Sequence, residues 1–277
     1  MKVFFTGSEG GVGQEAVPAL ERAGHHVITS SRKPSDRPGH IQADVRDFEA
    51  MRRGVEGCDA VIHNGAASSD LPEQPGEVLS INVQGTLAVF AAAREAGVKQ
   101  FVYHSSVNAL GFPRDVAPLS DAMAPEPISD YQVSKYLAEE ALERLGAVCG
   151  ITTVCLRSCW IGIPRVTKWW RELEPDQLDA LHCESMWAHV SVDDVIDAMH
   201  RALTYRRRKH LACLLAADDR VGSRPTAELI RRWKPEMTIA EGWLDSPDKG
   251  LIDCSLAKQE LGWSPAGRWA SIRREGE

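Results

Sequence analysis

Tyr131 and Lys135 stand four apart in Asp-Tyr-Gln-Val-Ser-Lys, a spacing that puts both on one face of a helix. A tyrosine alone is a poor acid or base at neutral pH, with a reference pKa of about 10. An ammonium beside it favours the phenolate, so the pair can carry a proton in an alcohol–ketone interconversion. Upstream, an apolar strand ends in Tyr103-His104-Ser105-Ser106. A serine hydroxyl at that edge can hold the reacting oxygen through a hydrogen bond, and Ser106 is favoured over Ser105 by its place in the motif. Each feature also has an ordinary reading: a chance Tyr/Lys pair on a helix, and a serine that caps the next turn.

The chain opens with Val3-Phe4-Phe5-Thr6-Gly7-Ser8-Glu9-Gly10-Gly11-Val12-Gly13. A strand runs into a loop with glycine at every third position, and an amphipathic segment follows. Glycine lets the backbone turn tightly and approach a pyrophosphate with no Cβ in the way. The helix beyond points its free N–H groups at the phosphates. Gly7, Gly10, Gly11, Val12 and Gly13 are therefore expected to bind a dinucleotide. About 20 residues on, an acidic side chain normally accepts hydrogen bonds from a ribose 2′-OH. Here Ser30, Ser31, Arg32 and Lys33 stand at that place. With no carboxylate to repel a 2′-phosphate and with Ser31 and Arg32 to bind it, NADP is expected in preference to NAD. Should Arg32 only stack on the adenine or face solvent, the protein is indifferent between the two or uses NAD.

These residues need a frame. Nearly continuous apolar runs lie at 2–6, 26–30, 41–43, 60–63, 101–105 and 152–156. Helical stretches at 12–23, 51–55, 76–96 and 130–145 separate them, several closed by glycine. Alternation of this kind predicts an α/β protein with a doubly wound parallel sheet, the Rossmann fold, over residues 1–158. From residue 159 the alternation breaks, and all eight tryptophans lie at Trp160 or later. Residues 159–277 are expected to form a small, mostly helical substrate cap, with about 188–204 returning to the core.

Composition narrows the partners. The chain has 277 residues and a net charge of −7, which argues against a nucleic-acid binder. No apolar run approaches the roughly 20 residues of a membrane span. Met1-Lys2 leads straight into the first strand, so no signal peptide is expected and a cytoplasmic location is. Seven scattered cysteines read as reduced thiols, and nine scattered histidines offer no metal-ligand spacing. The basic run Arg206-Arg207-Arg208-Lys209 reads as a solvated helix end.

Taken together the motifs resemble the extended short-chain dehydrogenases/reductases, the NAD-dependent epimerase/dehydratase group. Thr6-Gly7-x-x-Gly10-x-x-Gly13 resembles their glycine loop, and Asp44-Val45-Arg46-Asp47 their adenine-contacting turn. His63-Asn64-Gly65-Ala66-Ala67 resembles their strand-four cofactor segment, and Asn82-Val83-x-Gly85-Thr86 a helix signature. Leu156-Arg157, His189-Val190-x-Val192-Asp193-Asp194 and Leu261-Gly262-Trp263-x-Pro265 resemble later markers. The resemblance implies cofactor contacts at Asp44, Val45, Asn64, Gly65, Ala66, Asn82 and Lys135. It implies a catalytic Ser106, Tyr131 and Lys135, and a homodimer built on the helices at 76–96 and after Tyr131, whose spare apolar residues are Ile81, Ala88, Val89, Ala92, Leu137, Ala141 and Leu145.

The short length, Ser68, Gly111-Phe112 and Arg157-Ser158-Cys159 look most like uronate dehydrogenases. Ser68, Ser106 and Asn108 are then expected to touch substrate. Arg165 can fork onto a carboxylate or be a plain surface arginine; among Trp160, Trp169 and Trp170 at most one is expected at the ligand. The chain departs from that branch at Val107-Asn108, where an Asn-His pair is usual, and at the non-acidic end of strand two. The expected function is hydride transfer between NAD(P) and a small polyol, sugar or sugar acid. The alternatives are a sugar epimerase with no net cofactor turnover and a non-catalytic cofactor-sensing protein.

Overall fold

Residues next to one another in each central strand face opposite layers of helices. On one face Val3, Phe5, Ile62, Val102 and Val154 pack together; on the other Phe4, Val61, Phe101, Tyr103 and Cys155 do. All of them are at most 1% exposed, so both faces of the sheet are dry. This explains why the strands read as unbroken apolar runs. The computed structural model describes residues 1–69, 71, 74 and 76–274.

In chain order the elements are β1 (Lys2–Thr6), α1 (Gly11–Arg22), β2 (His26–Ser31), β3 (Ile41–Gln42), α2 (Phe48–Val55) and β4 (Ala60–His63). A continuous helix follows, made of α3 (Glu77–Leu79), a π turn (Ser80–Gln84) and α4 (Gly85–Glu95). Then come β5 (Gln100–Ser106), β6 (Val116–Ala117), α5 (Asp130–Cys149) and β7 (Thr152–Ser158). The remainder holds β8 (Ile161–Gly162), α6 (Pro164–Glu172), α7 (Pro175–Leu181), β9 (Val190–Ser191), α8 (Val192–Leu203) and β10 (His210–Leu215). It ends with α9 (Thr226–Trp233), β11 (Thr238–Ile239), α10 (Ser255–Leu261) and α11 (Trp269–Arg274).

The main sheet is parallel, in the order β10-β7-β5-β4-β1-β2-β3. From β1 the chain winds outward to β2 and β3, then crosses back to β4 on the other side. The two windings part at the carboxyl ends of β1 and β4, the place where such sheets bind ligands. α1 and α8 cover one face, through Ala16, Val17 and Leu20 and through Val195, Ile196 and Met199. α2, α4 and α5 cover the other, through Met51, Phe90 and Leu142.

The sheet has seven strands where the sequence suggests six. The seventh, β10, pairs with β7 from His210↔Thr153 to Leu215↔Ser158, so the return of the chain to the core runs past residue 204. It is a six-residue segment directly after the basic run, without the flanking punctuation that marks the earlier strands. That run is the turn between α8 and β10. Arg206 Nη1 donates to the Tyr205 carbonyl at 2.6 Å, and Arg208 pairs with Glu260 at 2.7 Å. β8, β9, α6 and α7 lie at the carboxyl edge beside the end of β7, while α10 runs beside β10, with Glu260 pairing with Arg208 at the amino end of that strand. Trp170, Trp187 and Trp263 are fully buried, as packing residues. Among the described residues no helix is long and apolar enough to cross a membrane.

Candidate active site

One cavity of about 1370 Å³ opens along the carboxyl ends of β1, β2, β4, β5 and β7, and the cap forms its far wall. The glycine loop closes one end. Gly7 has φ +72°, and a Cβ there would stand 2.8 Å from Gly65 Cα. A Cβ on Gly13 would stand 2.3 Å from the Gly7 carbonyl oxygen. Only glycine permits this close backbone approach, and it leaves a bare cradle at the N-terminus of α1. The cradle fits a dinucleotide diphosphate. Gly7, Gly10, Gly11 and Val12 line the cavity, whereas Gly13 packs beneath the loop.

At the end of β2 the cavity is lined by Ser31, Arg32 and Lys33. The Ser31 hydroxyl donates to the Lys33 carbonyl at 2.7 Å and accepts from its N–H at 3.1 Å. It is thereby engaged in its own turn, and Arg32 and Lys33 are the cations presented. Asp44 and Val45 line the same end just after β3, where the Ala43 N–H donates to the Ser31 carbonyl at 2.9 Å. Arg46 grips the Asp44 carboxylate from Nε at 2.8 Å and Nη2 at 3.0 Å, and this hydrogen bonding holds the carboxyl below its usual pKa.

Beneath the middle of the cavity the hydrogen bonds have fixed directions. Thr6 Oγ1 accepts from the N–H groups of Asn64 and Gly65, so its own proton goes to His63 Nδ1 at 2.7 Å. His63 Nε2 then donates to Thr86 at 3.0 Å. One strand over, Asn64 Nδ2 donates to the Gly7 carbonyl at 3.1 Å, which leaves its Oδ1 to accept from His104 Nδ1 at 2.6 Å. The other ring nitrogen of His104 therefore accepts from Ser158 Oγ at 2.7 Å. Burial holds both histidines at about pKa 3, hence neutral. Asn64, His104 and Ser158 thus link the ends of β4, β5 and β7, and all three line the cavity. His104 and Ser158 stand in stretches quoted from the sequence, but the sequence assigns neither a place in the site. The available signal was a histidine within an otherwise apolar strand.

Gly65, Ala66 and Ser68 line the wall beyond β4. Asn82 does not reach the cavity. It is buried, accepts from Ala67 N–H at 2.8 Å and donates to Ser134 Oγ at 2.9 Å, which ties the segment after β4 to α5. Ser129 caps α5, and its hydroxyl accepts from Gln132 N–H. Tyr131, at the second position of α5, is half-buried and faces the cavity with Ser106 and Asn108. Lys135, one turn on, is buried. Its Nζ donates to the His104 carbonyl at 3.0 Å and lies 5.9 Å from the Tyr131 ring centre. Burial pushes the ammonium down to about pKa 8. From the cap, Trp160 and Arg165 reach the cavity. Arg165 lies over the glycine loop, with Nη2 3.7 Å from where a Cβ on Gly11 would stand. Trp169 is 43% exposed and lies outside the cavity lining.

Residues 3–212 match the family described as the NAD dependent epimerase/dehydratase family. A uronate dehydrogenase of Pseudomonas syringae pv. tomato is 32% identical over 163 residues, which is 56% of this chain and 58% of that protein. The matched stretch is therefore little more than half the length of that relative. A UDP-glucose 4-epimerase of Streptomyces lividans is 26% identical over 303 aligned residues, covering 96% of this chain and 92% of that protein. Among solved structures, a short-chain dehydrogenase/reductase superfamily protein of Agrobacterium tumefaciens with bound NAD superposes with a TM-score of 0.76 at 20% identity, covering 99% of this chain and 95% of that one. At that identity the likeness speaks for the fold.

Proposed function

The chain belongs to the NAD dependent epimerase/dehydratase family, and within it we propose an NAD(P)-dependent oxidoreductase acting on a small sugar, polyol or sugar acid. The observation that carries this reading is one cavity lined by the glycine loop at one end and by Ser106, Tyr131 and Lys135 at its centre. A nicotinamide dinucleotide would be held there by the glycine loop and would supply the hydride chemistry. For the oxidation, Ser106 hydrogen-bonds the substrate oxygen and Tyr131 takes its proton. The electron pair leaves the carbon as hydride, so one proton and one hydride leave the substrate and a carbonyl remains. Lys135, charged below about pH 8, supports the proton transfer through its place beside Tyr131. In the reverse direction the same groups return the proton.

The cofactor reading rests on Arg32 and Lys33, which present two cations and no carboxylate at the end of β2, and it favours NADP over NAD. Sugar acids lead the substrate classes because Arg165 presents a guanidinium to the cavity beside the glycine loop, where it can fork onto a carboxylate, and Ser68 lines the wall. The cap from about residue 159 onward is read as the substrate-binding part, and the protein as a homodimer through α4 and α5.

A cofactor-coupled panel of uronates, aldoses and polyols tests the function. The expected result is stoichiometric reduction of NADP or NAD with a uronate or a related sugar. The second reading, an epimerase, draws on the match along nearly the whole chain to the Streptomyces enzyme. Interconversion of two sugars without net change in the cofactor would establish it in place of the first.

A further inference from the structure

Gln132, the residue after Tyr131, has a side-chain amide held at both ends. Its Oε1 accepts from Ile128 N–H at 2.8 Å, and its Nε2 donates to the Phe112 carbonyl at 2.7 Å. A backbone donor on one side and a backbone acceptor on the other leave the amide a single orientation. The same Nε2 approaches Asn108 Oδ1 at 3.5 Å. This orients Asn108 in turn and directs its Nδ2 to Ser106 Oγ at 3.1 Å. The Asn108 backbone N–H reaches the same oxygen at 3.2 Å. A serine hydroxyl has two acceptor lone pairs and one proton. Asn108 occupies both lone pairs, so the proton is what Ser106 has left to offer.

We propose that Asn108 and Gln132 are positioning residues that fix the polarity of Ser106, so that its hydroxyl acts only as a donor to the reacting oxygen of the substrate. The proposal rests on the reading of Ser106 as the group that touches that oxygen, and it gives Asn108 a role behind Ser106 in place of the direct substrate contact expected from the sequence. It also divides the work at the site. Ser106 cannot accept the substrate's proton, because its lone pairs are taken, and the proton must go to Tyr131. As negative charge develops on the oxygen, a donor already aimed at it needs no reorganisation.

Asn108→Asp separates this role from simple packing. The carboxylate has the same shape as the amide but offers acceptors only, so it captures the Ser106 proton. Asn108→Ala removes the restraint without reversing it. The expected order of kcat is wild type, then Asn108→Ala, then Asn108→Asp, with the aspartate variant down about 10²–10³-fold, the loss typical of one missing oxyanion donor. The cofactor dissociation constant stays unchanged, and kcat of the aspartate variant recovers as pH falls and the carboxyl gains a proton to donate. A packing role gives the opposite order, with the isosteric aspartate milder than alanine, and that result overturns the proposal. Should Asn108→Asp fail to fold, Gln132→Glu carries the test, because it removes the donor to Asn108 at constant shape; unchanged turnover there also overturns it. Ser106→Ala tells this failure from a failure of the underlying reading. If Ser106→Ala is crippled and Asn108→Asp is not, the polarity argument alone falls. If Ser106→Ala turns over like wild type, the catalytic reading falls and takes the proposal with it. In the Ser106→Ala background, Asn108→Asp costs nothing further.

Discussion

The ammonium of Lys135 is held 3.0 Å from the carbonyl oxygen of His104, a contact that fixes α5 to β5 directly beneath the cavity. The contact sets the place of the ammonium beside Tyr131, and burial sets its pKa at about 8. Tyr131→Phe keeps the ring and loses the hydroxyl. The expected outcome is a fall in turnover of about 10²–10⁴-fold with cofactor binding intact. Near wild-type turnover would remove Tyr131 from the reaction.

Lys135 carries its charge only below about pH 8, because burial lowers its pKa from 10.5. If the ammonium form supports proton transfer, kcat/KM, which reports the free enzyme, falls as pH rises through about 8. Lys135→Met is slow at every pH and shows no such limb. A wild-type profile that stays level to pH 9.5 would contradict the assignment.

Acid should unfold the protein early. Burial lowers His63, His104 and His182 from 6.5 to about 3. Their stabilisation is therefore present above about pH 6.5 and is lost as pH falls toward 3, because the unfolded chain takes up three protons that the folded one refuses. At about 1.4 kcal/mol per proton and pH unit, the loss is about 4 kcal/mol per unit. Against a typical stability of about 5–15 kcal/mol, unfolding is expected between about pH 3 and 5. Urea titrations across that range measure the slope; uptake of fewer than about one proton on unfolding would refute the neutral-histidine assignment.

Much of this was legible because it depends on local chain physics. β1 and β4 have the bounds expected from the sequence, and the glycine loop declares itself through spacing that backbone approach requires. The seventh strand was not legible. β10 is recognisable only through its pairing with β7, a long-range fact with no local punctuation. Site residues divide in the same way. Ser106, Tyr131 and Lys135 have roles that their residue types suggest, whereas His104, Ser158 and Gln132 act through hydrogen bonds across three strands or between a helix and a loop. Such bonds leave no trace in residue spacing.

The expected dimer helices also need redistribution. Ile81, Val89 and Ala92 are buried within the chain, Ile81 at the cavity wall, so they are not spare. The exposed apolar residues of α5 are Leu137, at 41%, and Val148, at 85%. A closed two-fold dimer through α4 and α5 would bury Leu137 near its centre. Light scattering is expected to give twice the chain mass for the wild type and the single chain mass for Leu137→Glu, with thermal melting otherwise cooperative. A monomeric wild type at micromolar concentration ends this proposal.

The proposed preference for NADP turns on Arg32 and Lys33. Both line the cavity at the end of β2, where a carboxylate would bind a 2′-hydroxyl and repel a 2′-phosphate. The Ser31 hydroxyl is engaged with Lys33, so discrimination falls to the two cations. A guanidinium forks onto phosphate, while an ammonium acts as a point charge. Arg32→Ala is therefore expected to weaken NADPH more than Lys33→Ala does, and to leave NADH nearly unchanged, since NADH offers no phosphate there. A charge-assisted hydrogen bond contributes about 1.5–3 kcal/mol, so the expected loss of NADPH affinity is about 10–100-fold. It should shrink with added salt, because the site is open to solvent. Quenching of intrinsic tryptophan fluorescence follows both cofactors, with Trp160 already at the cavity wall. Tighter binding of NADH by the wild type, or an equal loss of both cofactors in Arg32→Ala, would show that the end of β2 does not read the phosphate.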